Sequence, residues 1–168
     1  LLVASTSLVA LALLFIGLSL SSAFDAALKQ RVREELDEDV RMLSGYVRLD
    51  AEGSPRLDMD LADPKALQPY GGIYWQIEAE GSPPLRSRSL WDAVLPIPSG
   101  SQPVSAEPTF VRVAGPMAQR LLLAYRTIDI VGPRGLRPVR VAAAQDLALT
   151  APVKRAFDRV MVPCLVLV

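Results

Sequence analysis

The sequence predicts an α+β fold: a long N-terminal helix, a central and mostly antiparallel sheet, and a closing helix. Three observations predict it. Leu28, Val32, Leu36, Val40, Leu43 and Val47 recur at spacings of three and four, which places them on one stripe of a helix. Ile73, Trp75, Ile77 and Ala79 alternate with Tyr74, Gln76 and Glu78, the period of a half-buried strand. Two strand-like runs, 120–130 and 136–144, flank Gly132-Pro133-Arg134-Gly135, which has the composition of a turn.

Residues 1–24 carry no charge. A helix of that length rises ~36 Å, against a hydrocarbon core of ~30 Å, so the run reads as a first transmembrane helix. Ser21-Ser22-Ala23 also has the small residues of a signal-peptide cleavage site. Residues 26–47 continue outward as a helix. Its apolar stripe is backed by Lys29, Arg31, Arg33, Glu34, Glu35, Asp37, Glu38, Asp39 and Arg41, with Asp37 and Arg41 four apart. Leu43-Ser44-Gly45-Tyr46 weakens the helix near its end, and residues 50–55 form a loop. Within the short polar stretch 57–69, Asp63-Pro64 signals a turn or a helix start.

After strand 73–79, Glu80-Gly81-Ser82-Pro83-Pro84 turns the chain and residues 85–90 pair back as a hairpin. Residues 93–109 are rich in Pro and Ser, have no period, and read as a long exposed loop. Residues 110–113 form a strand. Pro138 demotes the start of strand 136–144 to an edge or a bulge. Asp146 caps a further helix, with Pro152 near its start, where proline is tolerated. At Val160 a second apolar run begins, containing Pro163 and Cys164. It reads as the start of a second transmembrane helix, 160–168. Residues 25–159 between the runs have the length of one domain, expected to lie outside the cytoplasm. The chain is read as a fragment of a longer protein.

Composition narrows the chemistry. The net charge is zero, so nucleic acid is not an expected partner. There is no histidine, which excludes His-based triads and His metal sites, and the lone cysteine allows no intramolecular disulfide. Ser87 and Ser89 lack a histidine or a credible lysine partner for nucleophilic work. No catalytic residue is assigned, and no cofactor is expected within this chain.

Gly72-Ile73-Tyr74-Trp75-Gln76-Ile77, followed by Leu85-Arg86-Ser87-Arg88-Ser89-Leu90-Trp91-Asp92, resembles the extracytoplasmic sensor region of bacterial two-component sensor histidine kinases, the PhoQ-type and related kinases of proteobacteria. Gly115-Pro116 leading into strand 120–130, and the 139–146 stretch before the closing helix, fit the same pattern. The resemblance covers nearly the whole chain. It implies a PAS-like, PDC-type sensor sheet, a homodimer, and an inner-membrane protein with its sensor in the periplasm. It also implies a cytoplasmic kinase region beyond this chain that uses ATP and Mg²⁺ and passes phosphate to a response regulator.

Candidate sites follow. Arg86 and Arg88, two apart on a strand, project from one face and suit a carboxylate or phosphate. With Tyr74, Trp75 and Trp91 they form a candidate small-ligand site. The two tryptophans also read as core, and the arginines as solvated or paired with Glu78. Glu34, Glu38, Asp58 and Asp60 are candidate oxygen ligands for a divalent cation. Their alternation with Arg31, Arg33 and Arg41 equally describes a solvated helix face. Leu28, Val32, Leu36 and Val40 are the expected seam of the dimer, or of the core, along a signalling helix. The function expected is stimulus sensing outside the membrane, relayed through the membrane helices. The alternatives are the ectodomain of another receptor class or a structural anchor of an envelope complex.

Overall fold

A computed structural model describes residues 2–58, 64–98, 104, 106–133 and 135–166. Side chains of residues 1–11, 13, 14, 158 and 160–168 lie outside the description, and with them most of the two apolar runs read as spanning segments. Among the described residues, no helix is long and apolar enough to cross a membrane. The chain divides into two units, residues 33–149 and residues 1–32 with 150–168.

The first helix, α1, runs Leu2–Tyr46 without a break, so Gly45 does not end it early. The predicted loop at 50–55 lies inside a small hairpin that the sequence reading missed: β1 (Val47–Leu49) pairs with β2 (Pro55–Leu57). Asp50 Oδ1 accepts from the amides of Glu52 and Ser54, and Gly53 supplies a φ of +90°. The short helix α2 spans Pro64–Leu67 and starts at the predicted proline.

The main sheet is antiparallel, in the order β4-β3-β7-β6-β5. Its strands are β3 (Ile73–Ala79), β4 (Leu85–Arg86), β5 (Thr109–Ala114), β6 (Arg120–Gly132) and β7 (Gly135–Asp146). Counted by first appearance within this sheet the order is 2-1-5-4-3, the α+β arrangement of a PAS-like sensor fold. The predicted 120–144 hairpin forms the centre, with Leu121 opposite Asp146 and Gly132 opposite Gly135. Pro138 lies just before β3 begins to pair with β7 at Val139, so its missing N–H costs no bond to β3.

Strand alternation gives the sheet two faces. On one, Tyr74, Gln76, Leu121, Leu123, Tyr125, Ala142 and Ala144 are buried. On the other, Ile77, Ala79, Leu122, Ala124, Val139, Val141 and Ala143 are buried. β3 is therefore buried on both faces, and the expectation of a half-buried strand is corrected. The reason is that residues 90–97 fold over the first face. Leu90, Leu95 and Ile97 join its core, so residues 93–98 are not the open loop predicted.

The second face is covered by α1 within the same unit. Leu36, Val40, Leu43 and Val47 are each at most 2 % exposed. Arg126 Nε donates to Ser44 Oγ at 2.9 Å, and Arg33 lies over the Phe110 ring at 5.5 Å. Within the other unit, Lys154 Nζ sits 2.6 Å from Asp25 Oδ1, and the Phe24 and Phe157 rings stack 4.1 Å apart. These contacts join α1 to α3 (Ala151–Val166). Asp146 Oδ1 accepts from the Ala148 amide, capping the short turn Leu147–Thr150 that precedes α3.

Candidate functional site

The segment carrying Leu85-Arg86-Ser87-Arg88-Ser89-Leu90-Trp91-Asp92 is a strap across the first face of the sheet. It begins as β4 and leaves the ladder after two residues, entering a 3₁₀ turn at Arg88–Leu90. Its serines explain the exit. Ser87 Oγ accepts from the Trp75 amide at 3.1 Å, and Ser89 Oγ donates to the Ile73 carbonyl at 2.6 Å. The two hydroxyls lie 2.9 Å apart. Each has one proton, and that of Ser89 goes to Ile73, so Ser87 donates to Ser89. Both are buried and engaged with backbone, which leaves no nucleophile to offer.

Farther along, Gln76 holds the strap from beneath. It is fully buried, accepts from the Leu95 amide at 2.9 Å and donates to Glu78 Oε1 at 2.7 Å. Glu78 in turn pairs with Arg140 at 2.6 Å. Arg86 donates to the Ala93 carbonyl at 2.7 Å, rather than pairing with Glu78 as one reading of the sequence had it.

At the end of the sheet where β3 and β6 begin, three loops are bonded together. The Tyr70 amide donates to Ser89 O, and Tyr70 OH donates to Asp92 Oδ1 at 2.7 Å. Gln119 Nε2 donates to the Tyr70 carbonyl, while Tyr74 OH donates to Gln119 Oε1 at 2.5 Å. The hydrogen bond to Asp92 raises the Tyr70 pKa above its ordinary value, because the carboxylate holds the phenolic proton. Burial raises that of Tyr74. Both phenols are donors at neutral pH.

These loops contain the four non-glycine residues with positive φ among the described residues: Tyr70, Trp91, Met117 and Ala118. Such backbone costs about 1–3 kcal/mol per residue and gathers at functional sites. Trp91 is 67 % exposed and Met117 78 % exposed, so neither strain is offset by burying its side chain. Arg88 is exposed on one of these loops, and Arg120 is exposed at the start of β6 beside them. Sequence reasoning missed Tyr70, Met117 and Gln119, because no pattern in the chain marks a positive φ at a bulky residue.

The predicted ligand residues do not meet in one place. Tyr74 and Trp75 project from opposite faces of β3, as neighbours on a strand must. Because β4 ends at Arg86, Arg86 and Arg88 do not share a strand face, and that expectation is corrected. Trp91 is a surface residue rather than core. Of the five, Arg86, Arg88 and Trp91 lie on the strap, and Tyr74 bonds into the loop cluster described above.

Val32, Leu36 and Val40 are buried within the single chain, and Leu28 is half-buried. Glu34, Glu38 and Asp58 are exposed, and Asp60 lies outside the described residues. Among the described residues no group of three or more acidic, cysteine or histidine side chains is placed to hold a metal ion. Asp37 pairs with Arg41 at 3.0 Å, as their spacing predicts.

The chain is similar to a sensor protein kinase, CarS, of Pseudomonas aeruginosa. Identity is 32 % over 153 residues, covering 88 % of this chain and 31 % of the kinase. The chain thus spans about a third of the length of that curated relative. No family model matches the chain, and no solved structure matches it.

Proposed function

We propose that this chain is the stimulus-sensing region of a membrane sensor histidine kinase, held outside the cytoplasm between two membrane helices. The observation that carries the proposal is the similarity to a sensor protein kinase along 88 % of the chain. The α+β sheet packed on a long helix is the architecture such a region needs. In this reading residues 1–24 and 160–168 enter the inner membrane of a bacterium, and the sheet stands in the periplasm. Their sequence supports it, as does the exposure of Phe15, Ile16, Leu18 and Leu20 on α1, a run of large apolar side chains that water does not favour. The kinase region lies beyond this chain, binds ATP and Mg²⁺, and phosphorylates a response regulator.

Sensing works through differential affinity. A stimulus shifts a sensor between two packings only to the extent that it prefers one of them, typically by about 1–3 kcal/mol. The loop cluster of Tyr70, Arg88, Trp91 and Met117 is the surface proposed to meet the stimulus, whether a small anion or a protein. A homodimer in this reading uses faces of α1 other than the buried stripe, since Val32, Leu36 and Val40 are already covered.

The test uses the full-length protein in bacterial membranes. Alkaline phosphatase inserted at the exposed turn residue Gly81 is expected to be active, and the protein is expected to label itself with radioactive ATP. An inactive phosphatase, with a fluorescent green protein at the same site, refutes the location. Absence of phosphate transfer refutes the kinase assignment.

A further inference from the structure

Asp37, Arg41 and Ser44 lie at spacings of four and three on α1, so they form one polar stripe on the helix. Arg126, projecting from β6 toward α1, is held at the lower end of that stripe. Its Nε donates to Ser44 Oγ at 2.9 Å and its Nη1 to the Ala106 carbonyl at 2.9 Å. Neither partner carries a charge. Asp37 presents the complementary feature. One carboxylate oxygen pairs with Arg41 Nε at 3.0 Å. The other, Oδ1, is shielded from solvent and has no hydrogen-bond partner, the one side-chain atom of this kind among the described residues. A half-matched carboxylate and a half-buried guanidinium held by neutral groups therefore face the same helix–sheet seam. Arg126 is electrostatically sensitive to both Asp37 and Arg41, and its burial and the nearby Arg41 charge weaken its hold on its proton.

A shielded carboxylate oxygen without a partner is unfavourable, and a charged hydrogen bond is stronger than a neutral one. The two groups would gain from meeting, yet the packing of α1 keeps Arg126 on Ser44.

We infer that α1 has two seats on the sheet, one with Arg126 on Ser44, as seen here, and one with Arg126 on Asp37. α1, continued by β1, runs along β6 toward the hairpin tip, with Ser44 at Arg126 and Leu49 of β1 beside Gly132. Bringing Asp37 to Arg126 therefore moves α1 toward that tip. Interfaces of packed side chains change in discrete steps rather than by continuous sliding. Asp37 lies seven residues before Ser44, ~10.5 Å along the helix, so a one-turn step of ~5.4 Å covers about half of that and the Arg126 side chain spans the rest. The regulatory consequence, that the two seats set opposite kinase outputs, rests on the sensor-kinase reading. The two seats themselves do not.

The test uses the full-length protein in lipid nanodiscs, with Cys164→Ser and spin labels on Glu38→Cys and Leu136→Cys, both exposed positions. The distance between labels is measured in this background and in three variants. Ser44→Ala removes the present station and shortens the label distance. Asp37→Asn removes the charge of the second station and leaves only the longer distance. Arg126→Met abolishes the difference between the two variants. If Arg126→Met misfolds, the opposed responses of Ser44→Ala and Asp37→Asn still decide. One unchanged distance distribution in both variants overturns the inference, because Arg126 would then swing without moving the helix. Phosphate labelling of the same samples separates the two readings. Opposed changes of at least threefold for Ser44→Ala and Asp37→Asn support regulation through the seam. Changes of the same sign overturn it. Moving labels with no phosphate transfer in any sample uphold the two seats and overturn the kinase reading.

Discussion

Gln76→Leu removes the polar post on which the strap rests while keeping an apolar side chain of similar size. Gln76 is fully buried and serves the Leu95 amide at 2.9 Å and Glu78 at 2.7 Å. Glu78 keeps Arg140 after the change, so its loss is modest. The Leu95 amide has no such reserve and stays buried without an acceptor, a cost of about 1–3 kcal/mol. Losing the bond to Glu78 adds about 1 kcal/mol, and the new apolar contact returns part of this. The expected destabilisation is about 2 kcal/mol, or a fall of roughly 4–8 °C in Tm for a chain of this size. Hydrogen exchange localises it: the Leu95 amide speeds up far more than amides of β6 and β7. A variant whose Tm falls by less than about 1 °C, with Leu95 still protected, would refute the argument that Gln76 fastens the strap.

Leu36→Asp places a carboxylate at a site 2 % exposed on the buried side of α1, and is expected to cost about 3–5 kcal/mol, read as loss of the cooperative transition in denaturant. Gly115→Ala drives a methyl to 2.6 Å from the buried Leu121 side chain, at a cost of about 1–3 kcal/mol by thermal unfolding. Gly81→Ala meets nothing but takes φ +76°, and is expected to cost about 1–2 kcal/mol from backbone strain alone. Alkaline pH supplies a further test. The Tyr70 and Tyr74 phenols hold their protons more tightly in the fold, so their stabilisation is present below the ordinary tyrosine value of ~10 and is lost as pH rises through the raised folded values. Tyr74→Phe is expected to flatten the alkaline limb of a stability-against-pH curve, and an unchanged limb would remove Tyr74 from the account.

The strand at 73–79 was legible because β-branched and aromatic residues alternate there, and its bounds match the structure. Its second buried face was not, since Gln76 reads as a solvent residue until its amide is seen bonded to Leu95. The signal for the covering strap was small: Leu95 and Ile97, two apart, inside a Pro-rich stretch with no longer period. Arg86 and Arg88 misled for a related reason. Their spacing fits a continuing strand, but the Ser87 and Ser89 hydroxyls bond β3 and replace the ladder with a turn. The 47–57 hairpin escaped notice because three-residue strands are shorter than any window that reveals a period. The helix stripe was legible down to Leu43, because burial of that length of helix leaves the same trace wherever the helix docks, whereas Val47, buried as expected, opens β1 instead of continuing the helix.

β7 is gripped along both edges, by β6 from Gly135 to Asp146 and by β3 from Val139 to Gln145. A slip by one residue would send Ala142 and Ala144 to one side and Val141 and Ala143 to the other, against two neighbours at once. This fixes where the molecule tolerates a splice. A chimaera joined after Asp146 inherits the whole sheet in register, whereas a junction inside β7 surrenders the seams on both sides together.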